Sequence, residues 1–411
     1  MNKQKVYPWL MLAACCSLSA ATMGIISSAM PVFYAPTAQG LNTGVGTISL
    51  YATLLSLTTG LFGPILVTLL KKFNIKAIVT AGGLICGLAI FSMSFFSAPF
   101  MFYVAGIIAG IGYACCASIT INTVLVNWFH NKLSTVTGIA FAFSGAAGAI
   151  MSPIFASIIS SAGWRAAYMV TGILIIILTV PVGLFIIAKR PEDLRLKPFG
   201  YREFDEDLIA LSKFRNAGMK HGTLLMILFS ICGAIVVNFG SHVSAYMTSL
   251  KFDASVAASV LSVSMISNVV TKLLLGAIAE KLGTFKAIQL YAVFPIIGLF
   301  AFLLIPTGSE ILRYIAPACF GVTFAITSVG MSLVAREFVS DDKYDSIYAN
   351  STLVVFVVGA IMISVYGTFF DIFGSYTVSI IFGLVFAILL FLIILYVNLR
   401  YKSLKIEEIS D

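Results

Sequence analysis

Lys272 is the residue whose type and position could do chemistry. It lies in a stretch of apolar and small residues, Ser255–Gly283, eight residues before Glu280. If that stretch is a helix, a rise of about 1.5 Å per residue puts Lys272 roughly 12 Å from the helix's charged end. That is more than a third of the way into a hydrocarbon core of about 30 Å. A charge at such depth costs about 2.5–3.5 kcal/mol, a penalty proteins accept where the charge has a task. An ammonium in an apolar bundle is suited to holding an anion. The bland alternative is a lysine that snorkels or binds backbone carbonyls, but its stem reaches only about 6 Å. Asn268 precedes it by one helical turn and shares its face with Met265 and Leu275. His242 is the one histidine inside an apolar run, and could relay a proton, touch a substrate or pack as a hydrogen-bonded core residue. Asn238, four residues earlier, is its expected partner. Tyr34, Tyr113, Asn122, Thr327 and Asn350 complete the polar candidates, each better suited to joining helices than to touching a substrate.

Other chemistries lack their parts. The apolar runs hold no carboxylate pair, no His/Cys cluster, no phosphate-cradling glycine loop beside a strand and no nucleophile with its base. The seven cysteines are odd in number, lack metal-type spacing and all fall in apolar runs, where they serve as small packing residues. An enzyme is therefore not expected, nor a cofactor, a metal or a built-in nucleotide motor.

The elements that must position these residues are membrane helices. Sixty per cent of the chain is apolar, ten per cent is charged, and the mean hydropathy is +1.03. The apolar residues come in long runs split by short charged breaks, without the alternating ten-residue segments of a β-barrel. Twelve spans fit, at approximately 9–33, 45–70, 75–96, 100–126, 134–160, 166–188, 222–249, 254–280, 284–305, 311–335, 346–370 and 375–399. With the N-terminus inside, 21 of the 25 Lys and Arg fall in cytoplasmic segments. Three, Arg165, Lys251 and Arg313, fall outside, and Lys272 is the remaining one. That asymmetry predicts both termini in the cytoplasm and explains the net charge of +8 without nucleic acid. None of the 17 acids lies in the interior of a drawn span, so Lys272 is the sole ionised side chain expected deep in the membrane. Leu12-Ala13-Ala14-Cys15 resembles a lipoprotein cleavage box, but hydrophobicity continues to Phe33, which favours an uncleaved first span.

The chain reads as two halves, residues 1–188 and 222–411, joined by a cytoplasmic loop, 189–221. In that loop Phe204, Leu208 and Leu211 have the spacing of an interfacial amphipathic helix. Gly163-Trp164 after the fifth span matches Gly374-Ser375-Tyr376 after the eleventh, 211 residues on. The turn Lys71-Lys72-Phe73-Asn74 matches Glu280-Lys281-Leu282-Gly283 at a shift of 209. Such agreement predicts a duplicated six-helix unit, an architecture that exposes a midplane site alternately to each side. Gly83-x-x-x-Gly87 and Gly106-x-x-x-Gly110 read as close helix-packing patches.

Gly276-Ala277-Ile278-Ala279-Glu280-Lys281-Leu282-Gly283 resembles the G-x-x-x-D/E-R/K-x-G turn of the major facilitator superfamily. The first-half copy departs from it, with Val67, Lys71 and Asn74 where glycine, acid and glycine belong. Asn127-Trp128-Phe129 leading into Thr137-Gly138-Ile139-Ala140, the His242…Tyr246 pair and Lys272-Leu273-Leu274-Leu275-Gly276 are together similar to the monocarboxylate and oxalate–formate porters. The resemblance runs the length of the chain. It implies an all-α polytopic membrane protein of twelve helices in two pseudo-symmetric halves. It also implies that the position of Lys272, usually arginine, engages a substrate carboxylate. Lysine would do so as a point charge without a bidentate fork. Proton-coupled members carry an acid where Asn268 stands and a lysine near the position of Ser28. The oxalate–formate exchangers add a cation on the eleventh helix, where Ser346–Phe370 has none. A monoanion is thus expected over a dianion.

The expectation is a secondary active or facilitative transporter of small organic anions, monocarboxylates, across the plasma (inner) membrane. It would work as a monomer in the lipid bilayer by alternating access. Substrate-binding residues would be Lys272, Asn268, His242, Asn238, Tyr34, Tyr113, Asn122 and Asn350. Exchange against a counter-anion or facilitated diffusion is expected over proton symport, with His242 the residual proton route. Efflux of hydrophobic anions or drugs is the alternative, and a non-transporting nutrient sensor the weaker one.

Overall fold

A computed structural model of the chain describes residues 3–200, 222–338 and 341–410. The amphipathic segment expected around Phe204–Leu211 lies outside them. Among the described residues the structure is helical, with one isolated bridge between Phe129 and Phe199. Eleven helical runs are long and apolar enough to cross a membrane. They are Val6–Gly40, Val45–Lys72, Ile75–Phe95, Pro99–Trp128, Leu133–Ile186, Gly222–Ser249, Ser259–Leu282, Thr284–Thr307, Leu312–Glu337, Tyr344–Phe373 and Thr377–Leu399. Leu133–Ile186 is two crossings, because Gly163 inside it leaves helical geometry with φ 83° and ψ 165°. Dividing there makes twelve spans, numbered 1–12 below. Only glycine adopts that φ freely, which is why the turn sits on it.

The chain divides into two compact units, Met1–Asp205 and Glu206–Asp411. Their helices repeat closely. In span 1 a tight turn at Met30–Phe33 leads into a short helix, Tyr34–Gly40; in span 7 the turn is Phe239–His242 and the helix Val243–Ser249. Both pairs are displaced by 209 positions, as are the starts of the next helices, Val45–Lys72 and Ala254–Leu282. Pro31 explains the first turn, since its ring denies the helix a donor. No proline marks the second.

In the first unit spans approach backbone to backbone through glycine. A Cβ on Gly112 would lie 2.5 Å from the Gly82 carbonyl oxygen, and one on Gly172 would lie 2.6 Å from that of Gly87. Gly106 and Gly110 press in the same way on the carbonyls of Tyr51 and Leu55 in span 2. All seven cysteines are free thiols; Cys86, Cys115 and Cys116 line the Gly82–Gly112 crossing, and the Cys116 thiol lies 3.4 Å from the Val79 carbonyl oxygen.

The end of this unit that holds Trp128 and Lys189 is tied together. Trp128 Nε1 donates to the Ala188 carbonyl at 2.8 Å, and the Lys189 ammonium caps span 2 at the Leu70 carbonyl, 2.7 Å away. The chain after span 6 then turns back. Phe199 N–H donates to the Trp128 carbonyl at 2.8 Å, and the Phe199 carbonyl accepts the His130 N–H at 3.0 Å. Gln4 exchanges two hydrogen bonds with the Lys197 backbone, at 2.6 and 3.1 Å, while Trp9, Phe129 and Phe199 pack edge to face.

In the second unit Phe239, Tyr246, Phe302, Phe320, Tyr366 and Tyr376 lie in one buried cluster that joins spans 7, 9, 10 and 11 to the start of span 12.

Candidate functional site

Span 8, helix Ala254–Leu282, has a buried strip and an exposed one, as helical spacing requires. Ser264, Asn268, Lys272, Leu275 and Ala279 are each at most 5% exposed. On the far side Ile266, Val270, Leu273 and Leu274 are each more than 40% exposed, an apolar surface fit for lipid. Lys272 therefore points inward.

Neighbouring helices hold this strip in register. Ser264 Oγ donates to the Pro317 carbonyl at 3.0 Å and Ser267 Oγ to that of Ala318 at 2.5 Å, both in span 10. Gly321 permits the approach, since a Cβ there would lie 2.5 Å from the Ser264 carbonyl oxygen. From span 9, Tyr291 Oη donates to the Thr271 carbonyl at 3.2 Å. Asn268, one turn before Lys272, is 4% exposed, and no hydrogen-bond donor reaches its buried Oδ1. Asn268 and Lys272 thus lie on the same buried strip, without a hydrogen bond to Asn268 Oδ1.

His242 lies elsewhere in the unit. Its Nε2 is 2.9 Å from the Ile363 carbonyl oxygen in span 11, and because a carbonyl only accepts, Nε2 carries the proton. In the neutral ring Nδ1 is then the acceptor, and Tyr376 Oη donates to it at 3.4 Å. Tyr366 and Tyr376 flank the imidazole. His242 so ties span 7 to span 11 and to the start of span 12.

Asn238 is not its partner, contrary to the sequence expectation. Its Nδ2 donates to the Ala234 carbonyl at 2.7 Å, and the amide lies against Gly359 of span 11. The tight turn at Phe239–His242 is the cause. At three residues per turn, positions four apart no longer share a face.

The remaining candidates are separate. Asn350 is exposed, 13 residues before Ile363 on the same helix and so about 20 Å from it. Thr327 bonds the Thr323 carbonyl of its own helix at 3.0 Å. In the first unit Tyr113 Oη shares a 3.0 Å hydrogen bond with Ser27 Oγ. Asn122 Nδ2 donates to the Ser118 carbonyl at 3.0 Å, and the Tyr34 ring stands edge-on to Tyr51. Tyr366, Tyr376 and Ser27 were not singled out from sequence. Of them only Tyr376 carried a signal, as a landmark of the repeat.

Among the described residues no group of three His, Cys, Asp or Glu is placed to hold a metal ion. Chemically, the strip on span 8 carries a buried ammonium and, one turn away, an amide oxygen that accepts no hydrogen bond. It can bind a charge but cannot break a bond.

Residues 11–358 match the Major Facilitator Superfamily. The uncharacterised MFS-type transporter YcxA of Bacillus subtilis is 24% identical over 165 residues, 40% of each chain. Human monocarboxylate transporter 2 is 26% identical over 149 residues, 36% of this chain and 31% of its own. These two matches therefore span well under half of each relative. The uncharacterised MFS-type transporter YhjX of Escherichia coli is 22% identical over 302 residues, 72% of this chain and 73% of its own. Among solved structures, the transporter FucP in its outward conformation aligns with a TM-score of 0.69 at 15% identity, covering 96% of this chain and 99% of that one. A bacterial homologue of the iron transporter ferroportin aligns with the same score and coverages at 13% identity. At these identities the structural likeness speaks for the fold. The chain belongs to the Major Facilitator Superfamily, a family of membrane transporters and not of enzymes.

Proposed function

We propose that the protein carries small organic monocarboxylates across the plasma membrane by alternating access, with Lys272 holding the carboxylate. The observation that supports this most is a lysine 5% exposed in the middle of a membrane helix, on one strip with a buried amide. A singly charged anion would neutralise that cation, and a charge-assisted hydrogen bond contributes about 1.5–3 kcal/mol. The partial similarity to a protein named for monocarboxylate transport agrees in substrate class. Asn268 stands where an acid would supply a proton site, so exchange or facilitated diffusion is favoured over proton symport. His242 is engaged in joining spans 7, 11 and 12, which makes a packing role the better account of it than substrate contact.

The test is counterflow of labelled formate, lactate and pyruvate into proteoliposomes, with and without a pH gradient. Saturable uptake of one of them, lost in Lys272→Ala, is expected. Wild-type uptake of every acid by Lys272→Ala would remove the basis of the proposal. Export of lipophilic anions with no monocarboxylate flux would favour the efflux alternative.

A further inference from the structure

Three span ends of the first unit meet at a cluster of cations. Spans 3 and 6 pack antiparallel, with Gly83 against Thr179 and Gly183 against Thr80, so the start of span 3 adjoins the end of span 6. Lys189, just past span 6, reaches the Leu70 carbonyl at the end of span 2. Lys71, Lys72 and Lys76 lie at the turn from span 2 to span 3, and Arg190 follows Lys189. Lys71, Lys72 and Arg190 are exposed and Lys76 is half-buried. Against these five cations the same segments carry two carboxylates, Glu192 and Asp193, and Asp193 Oδ2 accepts the Arg190 N–H at 3.1 Å. Among the described residues no carboxylate pairs with Lys71, Lys72 or Lys76.

A general bias of charge toward one side of the membrane would load both copies of this turn alike. At the shift of 209, however, Lys71, Lys72 and Lys76 correspond to Glu280, Lys281 and Phe285, with Lys286 one position further on. Lys189 corresponds to Asn398, whose amide donates to Gln289. The turn is common to both units and the cluster belongs to the first. Apolar surface adjoins it: Phe73 is exposed among the lysines, and Leu184 and Phe185 are exposed at the end of span 6. A ligand suited to this place has an anionic head and an apolar tail.

We propose that this end of the first unit binds an anionic phospholipid. Lys71, Lys72 and Lys76 hold the headgroup phosphate, and the acyl chains lie along Phe73, Leu184 and Phe185. Basic pockets between membrane helices take such headgroups, and each lysine near the surface contributes about fivefold in affinity. The phosphate also offsets the repulsion among cations that the packing of spans 2, 3 and 6 gathers.

The full-length protein in detergent is titrated with tail-labelled phosphatidylglycerol and with phosphatidylcholine carrying the same label. Phosphatidylglycerol is expected to bind about tenfold or more tighter. The combined Lys71→Gln, Lys72→Gln and Lys76→Gln variant is expected to weaken it about tenfold or more, and Lys281→Gln with Lys286→Gln in the second copy by less than about twofold. No loss in the first variant, or an equal loss in both, would overturn the proposal. If the triple variant does not fold, the wild type still decides. Equal binding of the two lipids, or phosphatidylglycerol binding undiminished in 1 M salt, where screening acts over about 3 Å, overturns it. Inorganic phosphate should displace the lipid no better than sodium chloride of equal ionic strength. Displacement at far lower ionic strength would give the site to a free anion and sink the lipid.

Discussion

At the scale of residues, Lys272 should trade stability for function. Replacing a buried charge by an apolar side chain of similar volume is often neutral or stabilising, while removing a functional cation abolishes binding. Lys272→Met is therefore expected to melt at or above the wild-type temperature in detergent while losing about tenfold or more in anion exchange. A fall in melting temperature together with retained exchange would make Lys272 structural. His242 should behave in the opposite way. Its bonds to the Ile363 carbonyl and Tyr376 join three spans, so His242→Ala is expected to cost about 0.5–1.5 kcal/mol of stability for each hydrogen bond lost. His242→Gln, which can still donate to Ile363, should keep most of the transport. Abolished transport in a stably folded His242→Gln would move that residue into the substrate path. The inward direction of Lys272 and its sharing a face with Asn268 were legible, because both follow from helical period alone. The bond between His242 and Tyr376 was not, since it joins residues 134 apart whose meeting depends on how spans 7 and 12 pack.

At the scale of elements, hydropathy located the spans because apolar length is what a bilayer selects. The breaks inside them were harder to read. Pro31 announced the turn in span 1, but Ala117, where span 4 leaves helical geometry between Cys116 and Ser118, carries no breaker residue. Its freed carbonyls are met by neighbours, as when Thr120 Oγ1 donates to the Cys115 carbonyl at 2.7 Å. The first-half turn has Lys71 in place of an acid, which removes that charge from the connection between helices of the first unit. The structure supplies the connection by other means, through Lys189 on the Leu70 carbonyl and Trp128 on that of Ala188. Trp128→Phe removes one donor and leaves a buried carbonyl unmet, at an expected cost of about 1–3 kcal/mol. Hydrogen exchange should then rise across residues 187–200 while the KM for anion stays as in wild type. Unchanged protection there would show that the returning segment is held by the aromatic contacts and Gln4 alone.

At the scale of the whole molecule, the two units share a plan and differ in charge. Shifting by the 209 positions that relate their first helices, Lys272 corresponds to Gly63 and Asn268 to Thr59. The helix is common to both, and the cation belongs to one. A duplicated scaffold thus supplies position, and substitution on a single copy supplies chemistry. The distribution of basic residues predicts one orientation for it, with both termini in the cytoplasm. Single cysteines can test it against a quiet background, since six native thiols are buried and Cys319 is partly so. Ser161 and Ser309 are exposed in turns assigned to the outside, and Asn131 is exposed in one assigned to the cytoplasm. Ser161→Cys and Ser309→Cys are expected to react with a membrane-impermeant maleimide on intact cells, and Asn131→Cys only after permeabilisation. The reverse pattern would invert the membrane orientation, and Lys272, ten residues from the end of its helix, would then lie nearer the outer face than the inner one.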